Sequence, residues 1–285
     1  MRSAAYNAAL KETAYAKINL ALHVRGRRDD GYHILDTIFA FVDDGDIISA
    51  EYSDGLSLRI TGPYAAGLRD TDNNLVMLAA RILHTHYNIK KGAALTLEKR
   101  LPIASGIGGG SADAAAAVRL LCKLWQINAT TSQLASLLAP HGADIPACIG
   151  SITVRGHETG TQLEQLENTD ISGTPILLVN PNVAVSTAAV FSRWTGSDGG
   201  ALAGNGAAEM MISGGNDLQP FAIEICPEIN DVMAALSTQN PIISRMSGSG
   251  ATCFALFPNE TECLRAKKII QAAYPNYWTM TGKLR

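Results

Sequence analysis

The residues best suited to chemistry lie at 99–124, KRLPIASGIGGGSADAAAAVRLLCKL, where a glycine cluster runs directly into an alanine-rich helical pattern. A helix start leaves several backbone N–H groups unpaired and carries partial positive charge, and glycines ahead of it let a phosphate approach bare backbone. The predicted feature is an anion-binding turn, suited to a nucleotide. Two familiar phosphate motifs fail on counting. A Walker A loop needs G-x-x-x-x-G-K-[ST], but Gly106, Ile107, Gly108, Gly109 and Gly110 are followed by Ser111 and Ala112, with no lysine. The dinucleotide fingerprint needs a third Gly or Ala where Ser111 stands. Alternation at 93–101 and a helical apolar face of Leu120, Leu121, Leu124 and Trp125 put the loop between a strand and a helix, where a plain linker is out of place.

Three other places carry candidate groups. Lys17 and Asn19 sit in AYAKINLAL at 14–22, an alternating segment that sends both side chains to one face, where an amine and an amide could jointly position a hydroxyl or phosphate. A lysine there also fits a solvent-facing edge strand. Asp144, in HGADIP, could take a proton from a substrate alcohol, and a nearby lysine would keep it ionised. It fits a helix N-cap equally well, with Pro146 just beyond. SRMSGSGATCFALF at 244–257 is a second small-residue turn, with Gly248 and Gly250 flanked by serines and an apolar strand following.

The elements that must hold these groups alternate in type. Strands are predicted at 14–22, 34–41, 46–52 and 93–101, a helix at 74–87, the helix after the glycines, a helix after 131, and a turn at 140–142. Strands at 152–155, 176–180, 253–257 and 277–281 follow, with helices at 217–225, 228–236 and 260–273. The stretch 195–206, TGSDGGALAGNG, is rich enough in Gly and Ser to predict an exposed, mobile loop. Strands and helices on both sides of residue 155 suggest two α/β lobes with a cleft between them.

Composition narrows the classes. With 285 residues, 47% of them hydrophobic, the chain can bury a large core, and its length suggests about two domains of a soluble protein. A net charge of −3 with no basic run interleaved with aromatics gives no footprint for nucleic acid. Five scattered cysteines without a C-x-x-C pair read as reduced core thiols of a cytoplasmic protein. His84 and His86 have no Cys or carboxylate cluster beside them to make a metal site, and no apolar run suggests a signal or a membrane span.

Taken in order, AKINL at 16–20, P-x-x-x-G-x-G-G-G-S at 102–111 and SGSGATCFALF at 247–257 resemble the three motifs of the GHMP kinase superfamily. AKINLALHVRGRRDDGYH, LEKRLPIASGIGGGSADAAA and HGADIPACI are most similar to its members that act on a cytidine-diphosphate sugar alcohol. The likeness covers nearly the whole chain, apart from the first dozen residues and 196–206. It implies a two-lobed α/β (α+β) fold with the active site in the cleft, residues 1–155 forming an ATP-binding domain and 156–285 a C-terminal domain. It also implies ATP as phosphoryl donor with Mg²⁺, to which no protein ligand is assigned, a small-molecule acceptor, and a monomer or weak dimer.

Residue by residue, the resemblance makes Lys17 and Asp144 the catalytic pair. Pro102, Ile103, Ala104, Ser105, Gly106, Ile107, Gly108, Gly109, Gly110, Ser111 and Ala112 match the phosphate loop, with Ser111 near the phosphates and any metal. Asn74, Leu75 and Lys99 fall where the family lines its adenine pocket. Tyr32 and His33 match the pair that holds cytosine, with Asn19 nearby and Phe191 as the opposing aromatic; every base has a π face to stack. Ala104 and Ser105 stand where many members carry glycines, which implies a tighter early turn. Asp113 replaces an asparagine of some relatives; its charge suits the helix dipole but repels phosphate, so it receives no contact. A different GHMP kinase, or a catalytically silent nucleotide-binding module, are the alternatives.

Overall fold

The structure, a computed structural model, describes residues 9–68, 73–166 and 170–285. In chain order the elements are β1 (Leu10–Arg27), β2 (His33–Ser53), β3 (Leu56–Thr61), α1 (Leu75–His86), β4 (Gly92–Glu98), α2 (Gly109–Trp125), α3 (Thr131–Leu138), α4 (Ile145–Gly150), β5 (Val154–Glu158), β6 (Gln162–Gln165) and β7 (Pro175–Asn180). There follow α5 (Thr187–Ser192), α6 (Ala207–Ser213), α7 (Gln219–Ile225), α8 (Glu228–Ser237), β8 (Ile243–Met246), β9 (Cys253–Leu256), α9 (Glu260–Ala273) and β10 (Trp278–Lys283). This is the mixed α/β content that the alternating patterns predict. The chain forms two compact units interleaved in sequence. The first comprises the described residues up to 14, 45–101 and 110–149, and the second 15–44, 102–109 and 150–285. No single position divides these units, since β1, β2 and the segment leading into α2 each pass from one to the other.

In the first unit β4 is the central strand. It pairs in parallel with β3, from Leu56↔Ala93 to Thr61↔Glu98, and antiparallel with β2, from Ile47↔Glu98 to Ser53↔Gly92. Parallel neighbours need a crossover, and α1 supplies it. Asn74 starts α1 by accepting a hydrogen bond from the Val76 N–H at 2.9 Å, and Val76, Met77, Ala79, Ala80 and Leu83 form its buried face. In α2 the run Ala112, Asp113, Ala114, Ala115, Ala116, Ala117 and Val118 is entirely buried. A run of alanines has no large side chains to hold neighbours off, which suits a helix buried all round.

The strands expected separately at 34–41 and 46–52 are one 21-residue strand, β2. The expected gap, 42–45, holds Asp43, Asp44 and Gly45, residue types common in turns. Asp46 is wholly buried: its carboxylate accepts from the N–H groups of Arg100 and Leu101 and from the Lys99 ammonium, at 2.5 Å for the last. Lys99 also donates to Asp113 at 2.7 Å, so one buried lysine lies between two buried carboxylates. Burial pulls the lysine down, but the Asp113 and Asp46 charges outweigh it and hold the ammonium above its ordinary range.

Burial pushes the Asp113 carboxyl up to about 8, against the pull of Lys99 and with the Asp46 charge adding to the rise. Its Oδ1 has no hydrogen-bond partner among the described residues, which suits a shared proton better than a full second charge. The unfolded chain releases that proton near the ordinary 3.8. The folded state therefore binds more protons between these values and loses stability as pH rises through that window. Asp113→Asn should flatten this decline, so urea unfolding of the variant should differ far less between about pH 5 and about pH 8.5 than that of the wild type.

In the second unit residues 35–39 of β2 pair antiparallel with β5, and β5 with β6. A four-stranded antiparallel sheet runs β10-β7-β9-β8. Leu177, Val179, Cys253 and Ala255 from that sheet pack with Leu218, Ala222, Ile229, Val232, Leu236, Ala266 and Ile270 from α7, α8, α9 and the residue before α7. The 195–206 stretch has no regular structure and is mostly exposed, as expected, and several of its residues bond to β1 and β2. Arg25 pairs with Asp198 at 2.5 Å, Gly199 N–H donates to Val24 C=O at 3.0 Å, and Leu202 is buried with its N–H on Asp36 at 2.9 Å. Of its glycines, Gly199 alone bonds the β1 backbone among the described residues, and a Cβ at Gly196 or Gly200 would meet nothing within 4 Å. Among the described residues no helix is long and apolar enough to cross a membrane, and all five cysteines are free thiols.

Candidate active site

Lys17 and Asn19 lie on one face of β1, as the alternation predicts, but not at a solvent-facing edge: they are 4% and 2% exposed. The Lys17 ammonium donates to Asn19 Oδ1 at 3.0 Å and sits 4.7 Å from the centroid of the Phe39 ring. Asn19 Nδ2 donates to Thr37 Oγ1 at 2.8 Å, and Thr37 donates to the Ala21 carbonyl at 2.6 Å. Thr37 and Phe39 share a face of β2, the strand that pairs with β1, so two residues of one strand hold two of the other. Gly156 on β5 makes room for Phe39, since a Cβ there would lie 2.7 Å from Phe39 Cε2.

The part of the phosphate loop in this unit, 102–109, is fastened by its carbonyls. Ala104 C=O accepts from Val185 N–H at 3.4 Å, Ser105 C=O from Thr252 N–H at 3.1 Å, and Ile107 C=O from Lys17 N–H at 3.1 Å. Gly106 C=O accepts from the Ser247 hydroxyl at 2.9 Å, and that hydroxyl in turn accepts from Asn19 N–H at 3.1 Å. Among the described residues no group accepts from the N–H groups of Gly106, Ile107 and Gly108. With the carbonyls engaged on one side, the loop offers its amides to an anion. Ala104, Gly106 and Gly108 all take positive φ, at 50°, 76° and 63°. The early turn at Ala104 is closed by the Ser105 hydroxyl, which donates to Pro102 C=O at 2.6 Å. Pro102 and Ser105 are buried, so neither side chain is presented to solvent, whereas Ile103 is exposed.

The aromatic group of this unit differs from the expected arrangement. His33 packs against Phe191 with centroids 4.8 Å apart and the rings tilted by 34°, and Trp194 meets His33 edge-on at 5.3 Å. That spacing leaves no layer for a base between His33 and Phe191. Tyr32 is 64% exposed, with its N–H on Asp30 at 3.1 Å. Burial, and then the Arg27 charge, lower the His33 pKa, which keeps the imidazole neutral at pH 7 with one donor and one acceptor nitrogen. Asn19, expected near these rings, is engaged with Lys17 and Thr37 instead.

Gly109 to Ala112 form the first turn of α2, with Gly110, Ser111 and Ala112 in the first unit, and the N–H groups at a helix start have no intrahelical partners. A Cβ at Gly110 would lie 3.6 Å from Leu75 Cδ1, and one at Gly142 would lie 3.9 Å from Ser111 Oγ. Asp144 is half-buried just before α4, its carbonyl accepting from Cys148 N–H at 3.1 Å, so it occupies the N-cap position. Asn74 caps α1. Lys99, expected beside adenine, has its ammonium committed to Asp46 and Asp113, its N–H to Thr61 and its C=O to Tyr64. Its polar groups serve the fold.

A family model described as GHMP kinases N terminal domain matches residues 74–151, and a second, GHMP kinases C terminal, matches 200–276. The 4-diphosphocytidyl-2-C-methyl-D-erythritol kinase of Sphingopyxis alaskensis is 45% identical to the chain, over 98% of it and 100% of the relative. The enzyme of the same name from Novosphingobium aromaticivorans is 47% identical, over 97% and 93%. The chain belongs to the 4-diphosphocytidyl-2-C-methyl-D-erythritol kinase family of GHMP kinases. A crystal structure of a 4-(cytidine 5'-diphospho)-2C-methyl-D-erythritol kinase matches its fold with a TM-score of 0.83 at 28% identity, covering 96% of this chain and 99% of that one.

Four residues contribute to the geometry of this GHMP kinase beyond those that motif spacing singled out. Ser247 lies within the serine-glycine turn but had no assigned partner. Trp194 follows Phe191 by three residues, the spacing that puts two side chains on one helical face. Thr37 and Phe39 carry the period-2 signal of a shared strand face, but nothing local says what that face meets.

Gly106 is the position where the backbone leaves least room. A Cβ there would lie 2.4 Å from Ser247 C=O and 2.7 Å from Gly250 C=O, at a positive φ that already disfavours any side chain. Gly106→Ala should lift the loop from the 247–250 turn. A lower melting temperature together with a raised KM for ATP is the expected result, measured by thermal unfolding and by ADP release.

Proposed function

We propose that this kinase transfers the γ-phosphoryl group of ATP to the 2-hydroxyl of 4-diphosphocytidyl-2-C-methyl-D-erythritol, giving ADP and the 2-phosphate, a step of non-mevalonate isoprenoid precursor synthesis. The shared name of full-length relatives supports the acceptor. The observation that carries the chemistry is the loop whose carbonyls are engaged while the N–H groups at 106–108 remain available beside Lys17. Phosphoryl transfer passes through a loose transition state, and the protein contributes positioning and electrostatic stabilisation. The loop amides and the Lys17 ammonium would hold phosphate oxygens. Asp144 would orient the acceptor alcohol and take its proton as the oxygen bonds to the γ-phosphorus and the β–γ bridge breaks to ADP.

Magnesium carried by the nucleotide would neutralise phosphate charge, and such a metal needs only one or two protein oxygens. Among the described residues no three His, Cys, Asp or Glu side chains form a cage for it, and the Ser111 hydroxyl is the group of this chain that would meet it. On the acceptor side, Tyr32 offers the exposed ring face and neutral His33 a donor and an acceptor for the cytosine edge, with Phe191 behind His33. The two family models fall on either side of residue 155, which supports an ATP-binding half at 1–155 and a C-terminal half at 156–285. The chain would work as a monomer or weak dimer, with neither nucleic acid nor membrane as partner.

Asp144→Asn is expected to lower kcat by roughly 10²–10⁴, the usual worth of a positioned base, while ATP still binds. ADP release and equilibrium nucleotide binding check the two halves of that statement, and near-normal turnover would remove Asp144 from the reaction. Tyr32→Ala should raise KM for the cytidyl substrate and spare KM for ATP, because it removes binding remote from the reacting atoms. Steady-state kinetics with each substrate varied in turn distinguish this from an equal loss on both.

A further inference from the structure

Asn19 can hold Lys17 only if its amide is turned the right way. An asparagine side chain presents an acceptor on one end and two donors on the other. Thr37 decides which end faces which neighbour. A threonine hydroxyl has one proton, and Thr37 uses it on the Ala21 carbonyl at 2.6 Å. Towards Asn19, 2.8 Å away, it can therefore only accept, so the NH₂ end must face Thr37 and the oxygen must face the Lys17 ammonium at 3.0 Å. The reversed amide would set two donors against each other at Lys17 and demand a second proton of Thr37. Thr37 is 0% exposed, Asn19 2% and Lys17 4%, so bulk water does not compete for these positions. The Asn19 backbone is fixed separately, through Ser247, to the Gly106 carbonyl of the phosphate loop.

We propose that Thr37 is a positioning residue of the phosphoryl transfer: its hydroxyl fixes the orientation of the Asn19 amide, and that amide oxygen aims the Lys17 ammonium. The proposal rests on Lys17 acting on the transferred phosphate. Phe39, two residues along the same strand face, places its ring 4.7 Å from the ammonium and leaves the amide orientation to Thr37. A valine keeps the shape of Thr37 and removes both of its hydrogen bonds, while a serine keeps the hydroxyl.

The test compares wild type, Thr37→Val, Thr37→Ala and Thr37→Ser by ADP release with ATP and the cytidyl alcohol, and by NMR exchange of the Asn19 side-chain NH₂ protons with solvent. Thr37→Val and Thr37→Ala should lower kcat roughly tenfold, the effect of one lost hydrogen bond, with both KM values within about twofold of wild type. Asn19 exchange should speed up in both. Thr37→Ser should restore kcat and slow exchange, a rescue that a purely packing role would not give. Wild-type kcat in Thr37→Val, a loss that Thr37→Ser fails to recover, or unchanged Asn19 exchange in the valine and alanine variants would each overturn the proposal. A wild type that releases no ADP with the cytidyl alcohol overturns the functional reading instead, and the exchange comparison then still decides the role of Thr37.

Discussion

The phosphate loop depends on backbone segments approaching more closely than side chains permit. Gly106 lies so near the 247–250 turn that a Cβ would sit 2.4 Å from Ser247 C=O, and a Cβ at Gly248 would sit 2.9 Å from Gly106 C=O. Bare backbone on both sides lets the Ser247 hydroxyl bridge them and reach Asn19 on β1 as well. Three segments far apart in sequence are thereby held as one surface, with carbonyls turned inward and bonded. The availability of the amides follows from that anchoring, because a loop tied by its C=O groups has its N–H groups left for a ligand.

Two buried lysines in the chain show how environment assigns a role to one residue type. Lys99 lies between Asp46 and Asp113, contacts that neutralise its charge locally and tie β2 and α2 to the segment entering the loop. Lys17 is held by a neutral amide oxygen and by the face of an aromatic ring. Both of these contacts are uncharged, and they orient the ammonium. The same comparison explains Asp113. Close to the anion-binding end of α2, a full negative charge would oppose a phosphate, and its proton-retaining environment beside Asp46 and Lys99 moderates that opposition.

Much of the local structure was legible because it rests on residues near one another in sequence. The helix beginning at about residue 74, the glycine entry to α2 and the Lys17–Asn19 face of β1 all follow from spacing and side-chain chemistry within a few residues. What misled was polarity without its partner. The gap left between the strands at 34–41 and 46–52 closes because Asp46 meets Lys99 and two backbone N–H groups, and the Gly-rich 195–206 stretch, mostly exposed, is tied to β1 through Gly199. Lys99 resembled a ligand-lining residue until its two carboxylates were found.

By itself, then, the sequence determined the glycine-rich turn, the elements flanking it, the mixed α/β class and the order of motifs that marks a GHMP kinase. Only the tertiary structure decided that Lys17 is buried, that His33 meets Phe191 tilted and Trp194 edge-on, and that Ser247 and Thr37 hold Asn19 from two sides. The reason is the range of the interactions involved. Caps, periodicity and tight turns are fixed within one or two turns of chain, whereas the Asn19–Ser247 bond spans 228 positions and the direction of the Asn19 amide depends on where a proton on a neighbouring strand is used.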